Sequence, residues 1–169
     1  MKNRIKSSAG VAIVALVLLA GCAGNSPSVT TQASPRVVAV ITQTQTDCSL
    51  SAVSDRIRSG LVAFTLVNDT GVAAAFDIWM IPEGHTYEEV VAHIQEERRL
   101  AESGRPGLGH PSFFADTDLA IHALIDQKKS TTASAVLKPG TYAVVCLRTF
   151  EQVGEIRPLA VVGPVVVEP

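Results

Sequence analysis

The sequence predicts an all-β sandwich with one helical insertion, and three observations support this fold class. Short runs of β-branched and apolar residues recur along the chain and are separated by turn residues. One segment near residues 86–100 changes instead to the period of an amphipathic helix. The chain has 169 residues, 47% of them apolar, which suits one domain with a buried core.

The N-terminus has the order of an export signal. Three positive charges lie within Met1–Lys6, and an unbroken apolar run extends from Val11 to Ala20. Small residues then lead to Cys22, as at a cleavage site. The apolar run is about half of the ~20 residues that a membrane-spanning helix needs. We therefore predict a signal peptide at residues 1–21.

The string Leu19-Ala20-Gly21-Cys22 resembles the lipobox of bacterial lipoproteins. That resemblance implies cleavage before Cys22 and acylation of its thiol. The alternative is an ordinary secretory signal that ends near a cysteine. The diacylglycerol that this modification attaches to the thiol supplies two acyl chains, which suffice for stable anchoring. We therefore expect a protein that is anchored by lipid on the extracytoplasmic side of the cell membrane and does not span it. Residues 22–36, rich in Ser, Thr and Pro, are expected to form a flexible linker.

The charge balance argues against nucleic acid as a partner. The chain carries 14 Lys and Arg against 16 Asp and Glu, a formal net charge of −2. Removal of Lys2, Arg4 and Lys6 with the signal peptide takes the 14 basic residues to 11, and the net charge to −5. No basic stripe remains to neutralise a phosphate backbone, so we predict no nucleic-acid binding.

The domain at residues 37–169 divides into strands at its turn residues. The predicted strands share apolar or alternating patterns: 37–43, 60–67, 76–81, 119–125, 131–137, 141–147, 159–162 and 165–167. Asn68–Gly71 is a turn between two of them, so strands 60–67 and 76–81 are expected to form an antiparallel pair. Gly163 and Pro164 are expected to separate the last two strands.

The helical insertion begins at a capping box. Thr86 and Glu89 have the spacing in which each side chain bonds the backbone amide of the other. Apolar residues then fall on one face, and residues 96–99, which include Glu97, are expected to face water. The helix is expected to stop in residues 102–107. The loop that follows contains Phe113 and Phe114, which either pack inward or form an exposed binding tip.

Cysteine usage agrees with an exported protein. Assigning Cys22 to the lipid leaves Cys48 and Cys146, which in an oxidising compartment most simply form one disulfide. The alternative is two buried free thiols. A redox-active pair would need close spacing, as in Cys-x-x-Cys, and that spacing is absent.

Three segments of the domain resemble the cupredoxins. They are Gly60–Asn68 (GLVAFTLVN), Phe76–Ile78 (FDI) and Leu137–Cys146 (LKPGTYAVVC). The resemblance extends over about residues 37–169 and implies a Greek-key β-sandwich. In addition, Glu83–Val90 (EGHTYEEV) resembles the helical insertion of a plastocyanin-like subgroup common in exported actinobacterial proteins.

The copper ligands that this resemblance implies are missing. A blue-copper site needs two imidazoles, a thiolate and usually a weak axial Met. The family has its first histidine next to the position of Phe76, where this chain has Ala74 and Ala75. Leu159 and Pro164 occupy the positions of the later His and Met. The domain also resembles the cupredoxin domain of periplasmic iron-uptake lipoproteins, in which an early Cys pairs with the Cys of this strand. We therefore expect Cys146 to be structural and the protein to have no cofactor.

The remaining residues favour a role without catalysis. No nucleophile motif such as Gly-x-Ser-x-Gly is present, so we predict that the protein is not an enzyme. We expect a membrane-anchored envelope lipoprotein whose copper-free domain is a binding or accessory module with a protein partner. The alternative is a metal-handling lipoprotein, for copper or iron. It would use the four histidines of the insertion and its neighbouring strands: His85, His93, His110 and His122. Ordinary solvated histidines are the other account of this group.

Overall fold

The computed structural model describes residues 34–54 and 56–169. The predicted signal peptide, Cys22 and the predicted linker up to residue 33 lie outside the described residues. The strands are β1 (Arg36–Gln43), β2 (Cys48–Ala52), β3 (Ile57–Arg58), β4 (Gly60–Asn68), β5 (Ala74–Met80), β6 (Leu119–Ile125), β7 (Lys129–Leu137), β8 (Gly140–Phe150) and β9 (Glu155–Glu168). One α-helix, α1, spans Tyr87–Glu102, and a 3₁₀ helix spans Asp116–Asp118. Among the described residues, no helix combines the length and the apolar character needed to cross a membrane.

The strands form two sheets. The first sheet has the order β2-β1-β4-β7, and the second has the order β3-β9-β8-β5-β6. Most neighbouring strands are antiparallel, but β1 lies parallel to β4 and β3 parallel to β9. Because consecutive strands often lie in different sheets, the chain ties the two sheets together repeatedly. This arrangement confirms the predicted all-β sandwich with a helical insertion.

The main core lies between the inner faces of the two sheets. Phe64 and Leu66 on β4 face Phe76 and Ile78 on β5, and all four side chains are fully buried. Side chains alternate between the two faces of a strand, so the intervening residues of β5 point to the outer face of the second sheet. That outer face is where the helical insertion packs.

Helix α1 adds a third layer against the second sheet. Its apolar side chains Val90 and Ile94 pack on Trp79 and Val145, which point outward from β5 and β8. The predicted capping box at its start is confirmed, since Thr86 Oγ1 accepts from the Glu89 N–H at 3.2 Å and the Glu89 carboxylate accepts from the Thr86 N–H at 2.7 Å. The cap fixes the residue at which the helix begins.

The predicted pairing of β4 with β5 is wrong. The two strands lie in different sheets, and β4 pairs with β1 and β7 whereas β5 pairs with β6 and β8. The Asn68–Gly71 turn therefore carries the chain from one sheet to the other. The buried Asn68 amide explains this, because it donates to the carbonyl oxygens of Val72 at 2.8 Å and Ile125 at 3.0 Å and so holds the crossing beside the end of β6.

Three further strand assignments differ from the sequence prediction, and one of them is the unpredicted two-residue strand β3. The short polar strand β2 was not predicted, and it pairs antiparallel with β1 along its whole length. The last two predicted strands are one strand, β9, because Gly163 and Pro164 are accommodated as a register shift opposite Tyr142 and Val144 of β8. Gly163 has a φ of 128°, which favours glycine at this position.

Candidate functional site

The two domain cysteines form the predicted disulfide. Cys48 on β2 and Cys146 on β8 are bonded at an S–S distance of 1.97 Å, with their Cα atoms 6.4 Å apart. Both residues are buried, and the bond joins the first sheet to the second. This confirms the pairing of Cys48 with Cys146 and excludes the alternative of two free thiols.

The positions that correspond to copper ligands are occupied by hydrocarbon side chains. Ala74 and Ala75 are buried in β5, where they pair in register with residues of both β6 and β8. Leu159 is buried against Phe150 and Ala101, and Pro164 lies within β9. Such side chains have no donor atom, so the residues present do not fit a type 1 copper centre.

The strand that carries Cys146 is continuous on both sides of the cysteine. Strand β8 continues four residues past the cysteine to Phe150 and returns directly as β9. Cys146 therefore lies in mid-strand, opposite Phe76 on one side and Ala160 on the other.

The four histidines contact different groups and do not form one cluster. The His93 Nε2 lies 2.7 Å from the Gly109 carbonyl oxygen, and the His122 Nδ1 lies 2.6 Å from an Asp77 carboxylate oxygen. The His85 ring stacks on Phe113 and the His110 ring stacks on Trp79. In the described part of the chain, no group of three or more His, Cys, Asp or Glu residues is placed to hold a metal ion.

Asp77 is a carboxylate in unusual surroundings that the sequence interpretation did not single out. It points outward from β5, opposite His122 on β6, and its side chain is only 15% exposed. Burial raises the pKa of Asp77, opposed mainly by the hydrogen bond and charge of His122 and by a hydrogen bond from Trp79. The available signal was a lone acid at an outward position of an otherwise apolar strand.

Glu97 was expected to face water, but the structure places it in the interior. Its side chain is 0% exposed, and its carboxylate forms an ion pair with Arg157 of β9, with the Arg157 Nε 3.1 Å away. The same carboxylate accepts from the Leu108 backbone N–H in the loop after α1. A buried charge is retained when it is paired and hydrogen-bonded, which explains why a Glu occupies the packed face of this helix.

The loop after α1 folds inward over the second sheet. Phe114 is buried and stacks on Trp79 with ring centroids 4.9 Å apart, and Phe113 meets Phe114 edge-on at 5.0 Å. Aromatic pairs at such distances pack favourably. Of the two placements left open by the sequence, the structure therefore shows inward packing and not an exposed tip.

A cleft remains between this loop and the β8–β9 hairpin. Its volume is about 230 Å³, and its walls are largely apolar. Trp79, Leu147, Ile156 and Pro158 contribute to its apolar wall, and its titratable residues are Asp77, His110 and Arg157. Apolar concavities with a few convergent polar groups are where small ligands usually bind.

The chain was compared with known proteins and is similar to a few solved structures. No protein-family model and no curated protein matches the chain. Na-dithionite reduced auracyanin from the photosynthetic bacterium Roseiflexus castenholzii is similar at 18% identity over 82% of this chain and 100% of that chain, with a TM-score of 0.45. Auracyanin B is similar at 17% identity over 82% and 93%, with a TM-score of 0.42. An azurin (Az-iso2) from the obligate methylotroph Methylomonas sp. strain J is similar at 12% identity over 68% and 87%, with a TM-score of 0.36.

At these identities the likeness concerns the fold alone. The two sheets described above, with their parallel β1–β4 contact and their inserted helix, form a β-sandwich with a helical insertion. What the domain can do chemically depends on its own residues.

Proposed function

We propose that this chain is a lipid-anchored protein of the bacterial cell envelope, whose cupredoxin-like domain is a copper-free, non-catalytic binding or accessory module. One observation carries the proposal. The positions for copper ligands hold Ala74, Ala75, Leu159 and Pro164, and the sulfur of Cys146 is bonded to Cys48. Without imidazole, thiolate or thioether donors, these positions cannot assemble a blue-copper centre.

The test of this proposal is metal binding by the purified, oxidised full chain. We would titrate it with copper in both oxidation states, with ferric iron and with zinc. Binding would be measured by titration calorimetry and by visible absorption spectroscopy. We expect neither binding nor the intense absorption of a copper–thiolate centre. Micromolar binding abolished by replacing the four histidines would instead support the metal-handling alternative.

The membrane anchor is a proposal from the sequence around Cys22. The test is to express the Cys22→Ser variant in cells, with Ser28→Ala in the proposed linker as the matched control. We expect the wild type and Ser28→Ala to incorporate labelled fatty acid and to fractionate with the membrane, because Cys22 provides the acylated thiol. Fatty-acid labelling that survives in Cys22→Ser would contradict the anchor.

A protein partner is supported by exposed apolar side chains on the outer face of the first sheet. Leu61 on β4 and Val136 on β7 lie opposite each other there, and both side chains are exposed. A photoreactive residue at position 136 is expected to crosslink one envelope protein in intact cells. Leu61→Lys should abolish that adduct, and Leu124→Lys, on the second sheet, should leave it unchanged. If no adduct formed, the proposal that this surface binds a protein partner would be contradicted.

A further inference from the structure

We propose that the cleft on the outer face of the second sheet binds a small amine with an apolar body, whose ammonium group pairs with Asp77. The cleft is defined by Trp79, Leu147, Ile156 and Pro158 on its apolar wall and by Asp77 and Arg157. This site goes beyond the proposed function, because it requires neither the anchor nor a protein partner.

The size and lining of the cleft define the body of the ligand. Sites for drug-sized molecules measure roughly 300–1,000 Å³. A cleft of about 230 Å³ therefore takes a smaller molecule, with one ring or a short branched chain. The side chains of Leu147, Ile156 and Pro158 offer this body hydrocarbon contacts, and burying apolar surface there favours binding.

The charges around the cleft select a cation. The Arg157 guanidinium is already paired with the buried Glu97 carboxylate, and a Glu155 oxygen lies 3.7 Å from the Arg157 Nη1. Two carboxylates thus offset the one guanidinium, and Asp77, whose carboxylate lies 2.6 Å from the His122 Nδ1, adds a third carboxylate. The carboxylates around the cleft therefore outnumber the guanidinium, which complements an ammonium group.

An ammonium group would stabilise the charged form of the Asp77 carboxylate. Its carboxylate is mostly removed from water, and burial raises its pKa because the charged form is poorly solvated. An ammonium group brought against it supplies a charge-assisted hydrogen bond and favours ionisation. Binding of the amine is therefore expected to lower the pKa of Asp77.

The test uses Trp79, the single tryptophan of the chain, whose ring lines the cleft. We would titrate the full chain at neutral pH and low salt with benzylamine, and separately with benzyl alcohol, which has the same ring and no charge. We expect a saturable change in Trp79 emission, with benzylamine binding about tenfold more tightly because of its charge-assisted hydrogen bond. Asp77→Asn should abolish this preference, and Asp126→Asn, an exposed acid elsewhere, should retain it.

A second variant keeps the test independent of any folding defect in Asp77→Asn. Ile156 is exposed at the cleft, so Ile156→Lys should fold, place its own ammonium in the cleft and compete with benzylamine. The proposal is overturned if benzylamine gives no saturable change throughout the millimolar range, where ligands of this size bind. It is also overturned if the alcohol binds equally well, or if Ile156→Lys leaves benzylamine binding unchanged.

Discussion

Glu97 illustrates how one carboxylate can hold three segments together. It lies on α1, accepts from the backbone N–H of Leu108 in the following loop, and pairs with Arg157 on β9. Gly107 makes this arrangement possible, because a methyl group there would overlap the Arg157 guanidinium and lie 2.7 Å from a Glu97 oxygen. Helix, loop and strand therefore depend on one buried ion pair and on the missing side chain of a glycine.

Replacing Glu97 with alanine should be strongly destabilising. The change leaves the buried Arg157 guanidinium with only the exposed Glu155 carboxylate, 3.7 Å from its Nη1. Removing one member of a buried pair typically costs about 3–5 kcal/mol. The measurement is the free energy of unfolding in denaturant. Glu96→Ala, on the same turn of the helix, is the matched control, because Glu96 is solvent-exposed and pairs with Arg99 at the surface. Equal effects of the two substitutions would contradict the structural role of Glu97.

Asp77 makes the stability of the fold depend on pH in a definite direction. Its pKa is raised above the ordinary value of 3.8, so the folded state binds the proton more tightly than the unfolded state. The contribution of Asp77 to stability is therefore present below that ordinary value and is lost as the pH rises through the raised pKa. We expect the free energy of unfolding of the wild type, relative to Asp77→Asn, to decrease as the pH is raised from 3.8.

Denaturant unfolding of the two proteins at a series of pH values measures this difference. Asp126→Asn serves as the control, because Asp126 is an exposed acid paired with Lys129 at the surface. A difference between wild type and Asp77→Asn that does not change with pH, or that increases with pH, would contradict the direction stated here.

At the scale of elements, the N-cap of α1 determines where the third layer begins. Thr86 has an extended backbone, and its side chain and that of Glu89 satisfy two amides that the first helical turn leaves open. The hydrogen bond from the Thr86 backbone is the main cause of the lowered pKa of Glu89. The cap positions the helix so that Val90 and Ile94 reach the second sheet.

Thr86→Ala should therefore destabilise the domain by about 1 kcal/mol, the usual loss when an N-cap oxygen is removed. Thr86→Ser retains the oxygen and is the matched control, for which we expect most of the stability to return. Thermal unfolding followed by circular dichroism measures both variants. A loss of the same size in Thr86→Ser would assign the effect to the methyl group and not to the cap.

The elements themselves could be predicted well, because their signals are local. The bounds of β6 agree with the prediction at residues 119–125, and the capping box located the start of α1. The sheet to which each strand belongs is not a local property. The turn residues at Asn68–Gly71 suit both a hairpin and a crossing, and contacts with Ile125, far away in the sequence, determine which one forms.

The candidate site was predictable in part for the same reason. The missing copper donors and the pairing of Cys48 with Cys146 follow from residue types and from the family resemblance. The burial of Glu97 does not, since a charge on a helix is normally solvated and its partner lies 60 residues away. The role of Asp77 depends likewise on β6 and on a loop packed over β5.

For the whole molecule, the disulfide between Cys48 and Cys146 is the covalent link between the two sheets. The sandwich core contacts Cys146 on one side, and the outer layer of α1 packs on the opposite face of the same sheet. The disulfide therefore holds the central strand β8 against the first sheet while the helix covers its other face. The fold thus uses this position for stability.

Removing the disulfide should accordingly weaken the entire domain. The bond closes a loop with a sequence separation of 98 residues, for which the chain-entropy model gives about 4–5 kcal/mol, an upper value for measured cases. We expect Cys48→Ala/Cys146→Ala to lower the free energy of unfolding by several kcal/mol, with sandwich and helix still unfolding together because they share the second sheet.

Denaturant unfolding followed by both Trp79 fluorescence and circular dichroism tests this, since Trp79 reports the helix–sheet contact and circular dichroism the whole chain. A reducing agent should produce a similar loss in the wild type and none in the double variant, which separates the bond from side effects of the reagent. Unchanged stability on reduction would mean that the sheets are held by the core alone. Separate transitions for the two probes would mean that the helical layer is an independent unit.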